Sequence, residues 1–213
     1  MARWATFDCY GTLIDWQAGI RAELARLFGE DRADAQLALY HELEPELQRT
    51  GQLSYREVMT EAMRRLGAPA GEEQGLANSL PSWSPFPDVA PALENLWRRG
   101  WQLAILSNSD RDLIAASKDR IGVPFDQTVV AQEIRSYKPA HRHWEEFYAR
   151  TGVGPARHVH VAASLFHDIA PATERGLPTV WINRRGESAG RLTPTSELVD
   201  LSPLPDVLDE LVP

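Results

Sequence analysis

Two kinds of hydrophobic spacing alternate along the chain, and they divide it unevenly. The opening segment ARWATFDCYGTLI joins a short apolar run to a Gly-Thr turn, which predicts a buried strand entering a loop at Asp8. From Trp16 to about Leu76 the apolar positions recur at helical intervals, in IRAELARLFG, DAQLALYHELEPELQRTG and SYREVMTEAMRRLG, each closed by glycine. Pro45 is expected to kink or divide the second of these helices. Ser54, with Glu57 three residues on, predicts a capping box at the start of the third.

Beyond the turn-rich SLPSWSPFPD stretch the pattern switches to strand and helix in alternation. VAPALENLWRRG, RDLIAASKDRIG, HRHWEEFYARTG and HDIAPATERG read as helices, and LPDVLDELV as a final one. WQLAILSNSD, QTVVAQEI, HVHVAAS and LPTVWINR read as strands running into loops. Such alternation implies an α/β fold with a parallel sheet covered by helices on both faces. The expected organisation is a core of residues 1–15 and 80–213, interrupted by a small helical domain over 16–79. Open parallel sheets bind ligands at the carboxyl ends of their strands. Asp8, Ser107, Asn108, Lys138 and the stretch from Ser164 to Asp168 all fall there.

Composition narrows the partners. The 213 residues carry a net charge of −8, which leaves no electrostatic footprint for nucleic acid or an anionic membrane surface. No run of 18 apolar residues is present to span a membrane. The single Cys9 has no partner for an internal disulfide, and the N-terminal stretch lacks the apolar run of a signal peptide, so a cytoplasmic location is expected. Of the 22 basic residues only Lys118 and Lys138 are lysines. That rarity draws attention to Lys138, which sits at a strand end before Pro139.

Each candidate residue has a chemical and a structural reading. Asp8 is placed to act as a covalent nucleophile, or to cap a turn. Ser107 and Asn108 can bind an anion and orient Asp8, or start the next helix. The ammonium of Lys138 can keep a nucleophile ionised and attract an anionic substrate. Asp168 can support that lysine, ligate a metal or cap a helix. His158 and His160 alternate on one strand face and are expected at the surface or partly packed, while His167 lies inside the loop that holds Ser164 and Asp168.

Taken in order, Phe7-Asp8-Cys9-Tyr10-Gly11-Thr12-Leu13, Ser107-Asn108, Tyr137-Lys138-Pro139 and Ser164 to Asp168 resemble the four motifs of the haloacid dehalogenase superfamily, over nearly the whole chain. The closing segments GLPTVWINRRGE and TPTSELVDLSPL resemble L-2-haloacid dehalogenases in particular. The resemblance implies a Rossmannoid α/β core with residues 16–79 as a cap that closes over the site. Where the superfamily's phosphatases carry a second Asp, this chain has Tyr10, and where they carry a metal-binding Gly-Asp pair it has Ala162-Ala163. Both departures disfavour a metal-dependent phosphatase.

The implied reaction releases halide from short 2-haloalkanoic acids through an Asp8 ester, with no metal or cofactor. In that scheme Thr12 and Ser164 position Asp8 and Lys138 holds its charge. Ser107 binds the substrate carboxylate, Asn108 faces the halide, and Asp168 orients Lys138 or the hydrolytic water. The family's cap arginine is absent from Leu39-Tyr40-His41-Glu42, and its aromatic before the last Asp is His167. His41 and His167 are therefore expected to supply N–H donors to the halide, with Tyr10 and Trp144 completing the pocket. A homodimer is frequent in the resembling family. Alternative readings are a hydrolase of another small substrate, such as a weak magnesium-dependent phosphatase, and a catalytically silent binding protein.

Overall fold

The computed structural model describes residues 2–49 and 51–213. Among them, β1 (Arg3–Phe7), β2 (Trp101–Ser107), β3 (Gln127–Val130), β4 (His158–Ala162), β5 (Thr179–Ile182) and β6 (Ser196–Leu198) form one parallel sheet, in the order β3-β2-β1-β4-β5-β6. The chain steps outward from β1 to β3 and then returns to the other side of β1. The resulting crevice, at the carboxyl ends of β1 and β4, is where such sheets bind ligands.

Between β1 and the rest of the sheet lie α1 (Trp16–Phe28), α2 (Glu30–Gln48), α3 (Tyr55–Arg65) and α4 (Gly75–Ser79). Asp15 caps α1, accepting from the Ala18 amide at 3.1 Å. At Ser54 both reciprocal bonds of the expected capping box are made. Of the two expectations at Pro45, a kink or a division of its helix, the division fails: α2 runs through it. Tyr40 before the proline and Leu47 after it are both buried, so the core anchors the helix on either side of it. Gly11 turns the chain from β1 toward α1 at φ 92°, and a Cβ there would lie 2.9 Å from the Trp16 indole nitrogen. Asp110, in the loop after β2, ties the inserted helices to the core by accepting from the Tyr55 and Arg56 amides at the start of α3, each at 2.9 Å.

The remaining helices are α5 (Val89–Arg98), α6 (Arg111–Ile121), α7 (Ala131–Ile134), α8 (Arg142–Thr151), α9 (Ala170–Glu174) and α10 (Leu204–Leu211). Alternation along the strands separates two apolar layers. Phe7, Ile105 and Val161 pack with Leu93 of α5 and Leu208 of α10; Trp4, Ala104, Leu106 and Val129 pack with Trp144 and Phe147 of α8. Each fully buried large side chain contributes ~1.5–3 kcal/mol.

Three local expectations change. The strand read in QTVVAQEI stops at Val130, and Ala131–Ile134 make a single helical turn, with Glu133 held by Arg111 and Arg150. Lys138 therefore sits on a longer loop than expected. The helix read in HDIAPATERG begins as a π turn over Leu165–Ile169 before α9. The short edge strand β6, largely unburied, was not anticipated because it carries little apolar alternation.

Candidate active site

Asp8 leaves β1 with its amide bonded to the Val161 carbonyl at 3.1 Å, so the nucleophile candidate is fixed to the neighbouring strand β4. The Thr12 hydroxyl donates to Asp8 Oδ2 at 3.1 Å and accepts from the Ala163 amide at 2.9 Å. Lys138 Nζ spends its donors on Asp8 Oδ1 at 2.8 Å, Asp168 Oδ1 at 2.6 Å and the Leu106 carbonyl at 2.8 Å. The ammonium therefore bridges the two carboxylates, and both Lys138 and Asp168 are almost wholly enclosed.

Burial acts on each charge, and neighbours decide the outcome. It works against Lys138, but Asp168 and Asp8 outweigh it and hold the ammonium above the ordinary lysine range. It also raises Asp168, yet Lys138 and His160 pull that carboxylate well below the usual value. At Asp8 burial wins over the opposing Lys138, with Asp168 adding repulsion, and the carboxyl rises above an ordinary aspartate. One oxygen of this group is left over: buried Asp168 Oδ2 has no partner within the protein.

Asn108, expected to face the halide, lines the cavity. Its amide is used at both ends on the Lys138 backbone, Oδ1 accepting from the amide at 2.6 Å and Nδ2 donating to the carbonyl at 2.9 Å. Its role is to hold the lysine's loop. Ser107 lines the cavity, and its carbonyl accepts from His143 Nε2 at 3.1 Å; burial brings the His143 pKa down to about 3. Ser164 makes no bond to Asp8. Its hydroxyl accepts from the His167 amide at 3.1 Å and meets His167 Nδ1 at 3.2 Å, so it orders the π turn that delivers Asp168.

Above Asp8, Lys138 and Asp168 opens a cavity of about 700 Å³, walled largely by the inserted helices and by the loop after β5. Tyr10 contributes its ring, stacked on Tyr55 with centroids 5.9 Å apart, while its hydroxyl pairs with Ser117 at 3.2 Å. Burial keeps that phenol protonated. His41 and His167 both line the cavity, and burial lowers the pKa of each. His41 Nε2 is buried with no partner in the protein, its ring 5.1 Å from that of Trp16.

Trp144 does not belong to this pocket. It is fully buried under β4, edge-on to His160 at 5.2 Å, because α8 turns that position toward the sheet. His158 and His160 are likewise fully buried, contrary to the expected surface or partly packed positions, since α8 covers the face they share.

Several wall residues escaped the sequence reading. Glu44 lies on α2 with Oε1 accepting from Tyr55 at 2.7 Å and Gln48 at 3.3 Å, and burial pushes its pKa up to about 7. Arg184 and Arg185 follow β5 and line the same cavity. Arg184 is committed to Asp88, at 2.8 and 3.0 Å, and stacks on Phe86. Arg185 pairs with Glu187 at the rim and bears electrostatically on His41. The NRRGE stretch at a strand's carboxyl end was the available signal. Among the described residues no three or more His, Cys, Asp or Glu side chains are grouped to hold a metal ion, and no helix is long and apolar enough to cross a membrane.

Comparison with known proteins places this geometry in context. The chain is 28% identical to (S)-2-haloacid dehalogenase 4A of Burkholderia cepacia, an alignment covering 99% of this chain and 94% of that protein. It is 29% identical to the (S)-2-haloacid dehalogenase of Pseudomonas sp. strain YL, covering 92% and 89%. The crystal structure of the L-2-haloacid dehalogenase RSc1362 superposes with a TM-score of 0.87 at 26% identity, over 98% of this chain and 99% of the other. Residues 2–174 match the family described as haloacid dehalogenase-like hydrolase, and the chain belongs to that family.

Proposed function

We propose that the protein is a metal-independent hydrolase that releases halide from short 2-haloalkanoic acids to give 2-hydroxy acids. The observation that carries this reading is the Lys138 ammonium bridging Asp8 and Asp168 at the floor of the cavity, which supplies the charge between the carboxylates from the chain itself. The (S)-2-haloacid dehalogenases among its relatives support the substrate class.

Lys138 engages Asp8 Oδ1, leaving Oδ2, held by one hydroxyl, as the attacking atom. Oδ2 attacks the α-carbon opposite the halogen; a C–O bond forms, and the C–halogen bond breaks with its electrons leaving on halide. Lys138 then polarises the ester carbonyl at Oδ1 and stabilises the oxyanion formed when water adds to that carbon. The acyl–oxygen bond breaks, and the alkoxide takes a proton to become the 2-hydroxy acid. Asp8 returns to carboxylate as the second proton departs. Asp168 Oδ2, lacking a protein donor, is the acceptor that aligns the water. Ser107 binds the substrate carboxylate, and His41, with His167 and the nearby Arg185, serves the departing halide.

The family resemblance supports a homodimer. A cytoplasmic setting suits the single buried, unpaired Cys9. Light scattering that finds only monomer removes the dimer. The activity is tested by halide release from 2-chloropropionate and fluoroacetate: wild-type protein is expected to turn over at least one, and Asp8→Asn neither. No turnover of any short 2-haloacid by the wild type sinks the reading.

A further inference from the structure

Beneath the floor, on the face covered by α8, the fold buries a line of polar groups that the hydrolytic steps do not use. Thr6 on β1 pairs in register with His160 on β4, and His158 lies two residues earlier on the same face. The Tyr148 hydroxyl meets His158 Nδ1 at 2.7 Å, and His158 Nε2 meets the Thr6 hydroxyl at 2.6 Å. That hydroxyl meets His160 Nδ1 at 2.8 Å, and His160 Nε2 meets Asp168 Oδ1 at 3.0 Å. Asp168 Oδ1 is the oxygen that Lys138 grips on its way to Asp8. Apart from half-buried Tyr148, every group in the line is fully or almost fully enclosed.

The direction of these bonds follows from valence. An ionised carboxylate only accepts, so His160 donates through Nε2–H, and in the singly protonated form that the proposal below assigns, its Nδ1 accepts from Thr6. A hydroxyl has one hydrogen, so Thr6 in turn accepts from His158 Nε2–H. His158 Nδ1 then accepts from the Tyr148 phenol. Every donor finds one acceptor and every bond points toward Asp168. Burial keeps His158 far below its ordinary pKa, as a neutral link requires. Trp144 packs edge-on against His160 at 5.2 Å and Phe147 tilts against His158 at 4.8 Å.

We propose that His160, oriented through Thr6 and His158, is a positioning residue: its Nε2–H pins Asp168, so that the shared lysine stays seated over Asp8 rather than drifting to one carboxylate. The catalytic consequence rests on Asp8 being the nucleophile; the tautomer assignment does not. Without the histidine donor, Asp168 keeps Lys138 as its only strong partner and draws it away from Asp8.

Nitrogen-15 spectra of histidine side chains in the wild-type protein are the first test. Both His158 and His160 are expected as neutral Nε2–H tautomers; an Nδ1–H tautomer or a doubly protonated ring at His160 overturns the proposal, whether or not any haloacid is turned over. Thr6→Val, nearly isosteric, should release the tautomer preference of His158 while His160 keeps its Nε2–H. An unchanged His158 counts against the relay. In haloacid turnover, His160→Leu should lower kcat by roughly 10- to 100-fold with KM little changed, the worth of one charge-assisted hydrogen bond. His160→Gln, which keeps an N–H donor, should recover most of that loss. Equal losses in both variants overturn the donor role, and if His160→Leu fails to fold, the wild-type spectra and Thr6→Val decide alone.

Discussion

The floor and the wall of the cavity are built to different standards. On the floor almost every polar atom is committed: Lys138 has three acceptors, Asn108 grips the lysine's backbone at both ends, and Thr12 joins the loops after β1 and β4. On the wall, His41 Nε2 has no protein partner, Glu44 carries a carboxyl pushed up to about 7, and Arg185 stands more than half exposed at the rim. A committed floor fixes one geometry for bond making. On the wall the unpartnered His41 Nε2 and the half-exposed Arg185 at the rim can meet a ligand, which is where discrimination among substrates belongs.

Removing the lysine breaks the floor most severely. Lys138→Met leaves Asp8 and Asp168 buried together without a counter-charge, which should cost about 3–5 kcal/mol of stability and abolish turnover. Denaturant midpoints and halide release measure both, and a stable, active Lys138→Met protein contradicts the division drawn here. A wall change should act differently. His41→Phe keeps the ring against Trp16 but removes the free Nε2, and kcat/KM is expected to fall ~10-fold, as for one lost hydrogen bond to the departing halide, with the denaturant midpoint little changed. A loss of stability on the scale of Lys138→Met would move His41 to the floor.

The smallest expected effect is a pH dependence at Glu44. Its folded pKa lies above the unfolded value, so the folded state holds the proton more tightly and stability falls as pH rises from about 4.5 to about 7. The whole shift corresponds to about 3 kcal/mol, and because Glu44 is only half-buried against the cavity the expected loss is nearer ~1 kcal/mol. Glu44→Gln should remove that share of the slope. Urea midpoints at about pH 5 and about pH 8 provide the comparison, and an unchanged slope places the pH dependence elsewhere.

The same contrast explains what could be read without coordinates. Asp8, Ser107 and the Ser164 to Asp168 stretch sit at or just after strand ends, and strand ends are legible from short apolar runs that stop at polar residues. Lys138 was found by its motif and rarity, although its strand ends earlier than expected at Val130. Glu44, Gln48 and Tyr55 were missed because they meet across α2 and α3, and helical periodicity shows which residues share a face but not which face another helix meets. Trp144 was misplaced for the same reason. His158 and His160 read as surface or partly packed positions, whereas a sheet covered on both faces turns such positions fully inward. Asn108 shows a further limit, since residue type and location were right but its partner was the backbone of a distant loop.

The central claim is a covalent bond at Asp8, and a single turnover in heavy-oxygen water with enzyme in excess over 2-haloacid tests it most directly. If water cleaves an Asp8 ester at its acyl carbon, mass spectrometry of the peptide that contains Asp8 will find the heavy oxygen in that carboxylate, while the first-formed hydroxy acid carries ordinary oxygen. Heavy oxygen in the product alone, with Asp8 unlabelled, would mean that water attacks the substrate directly and would contradict the account.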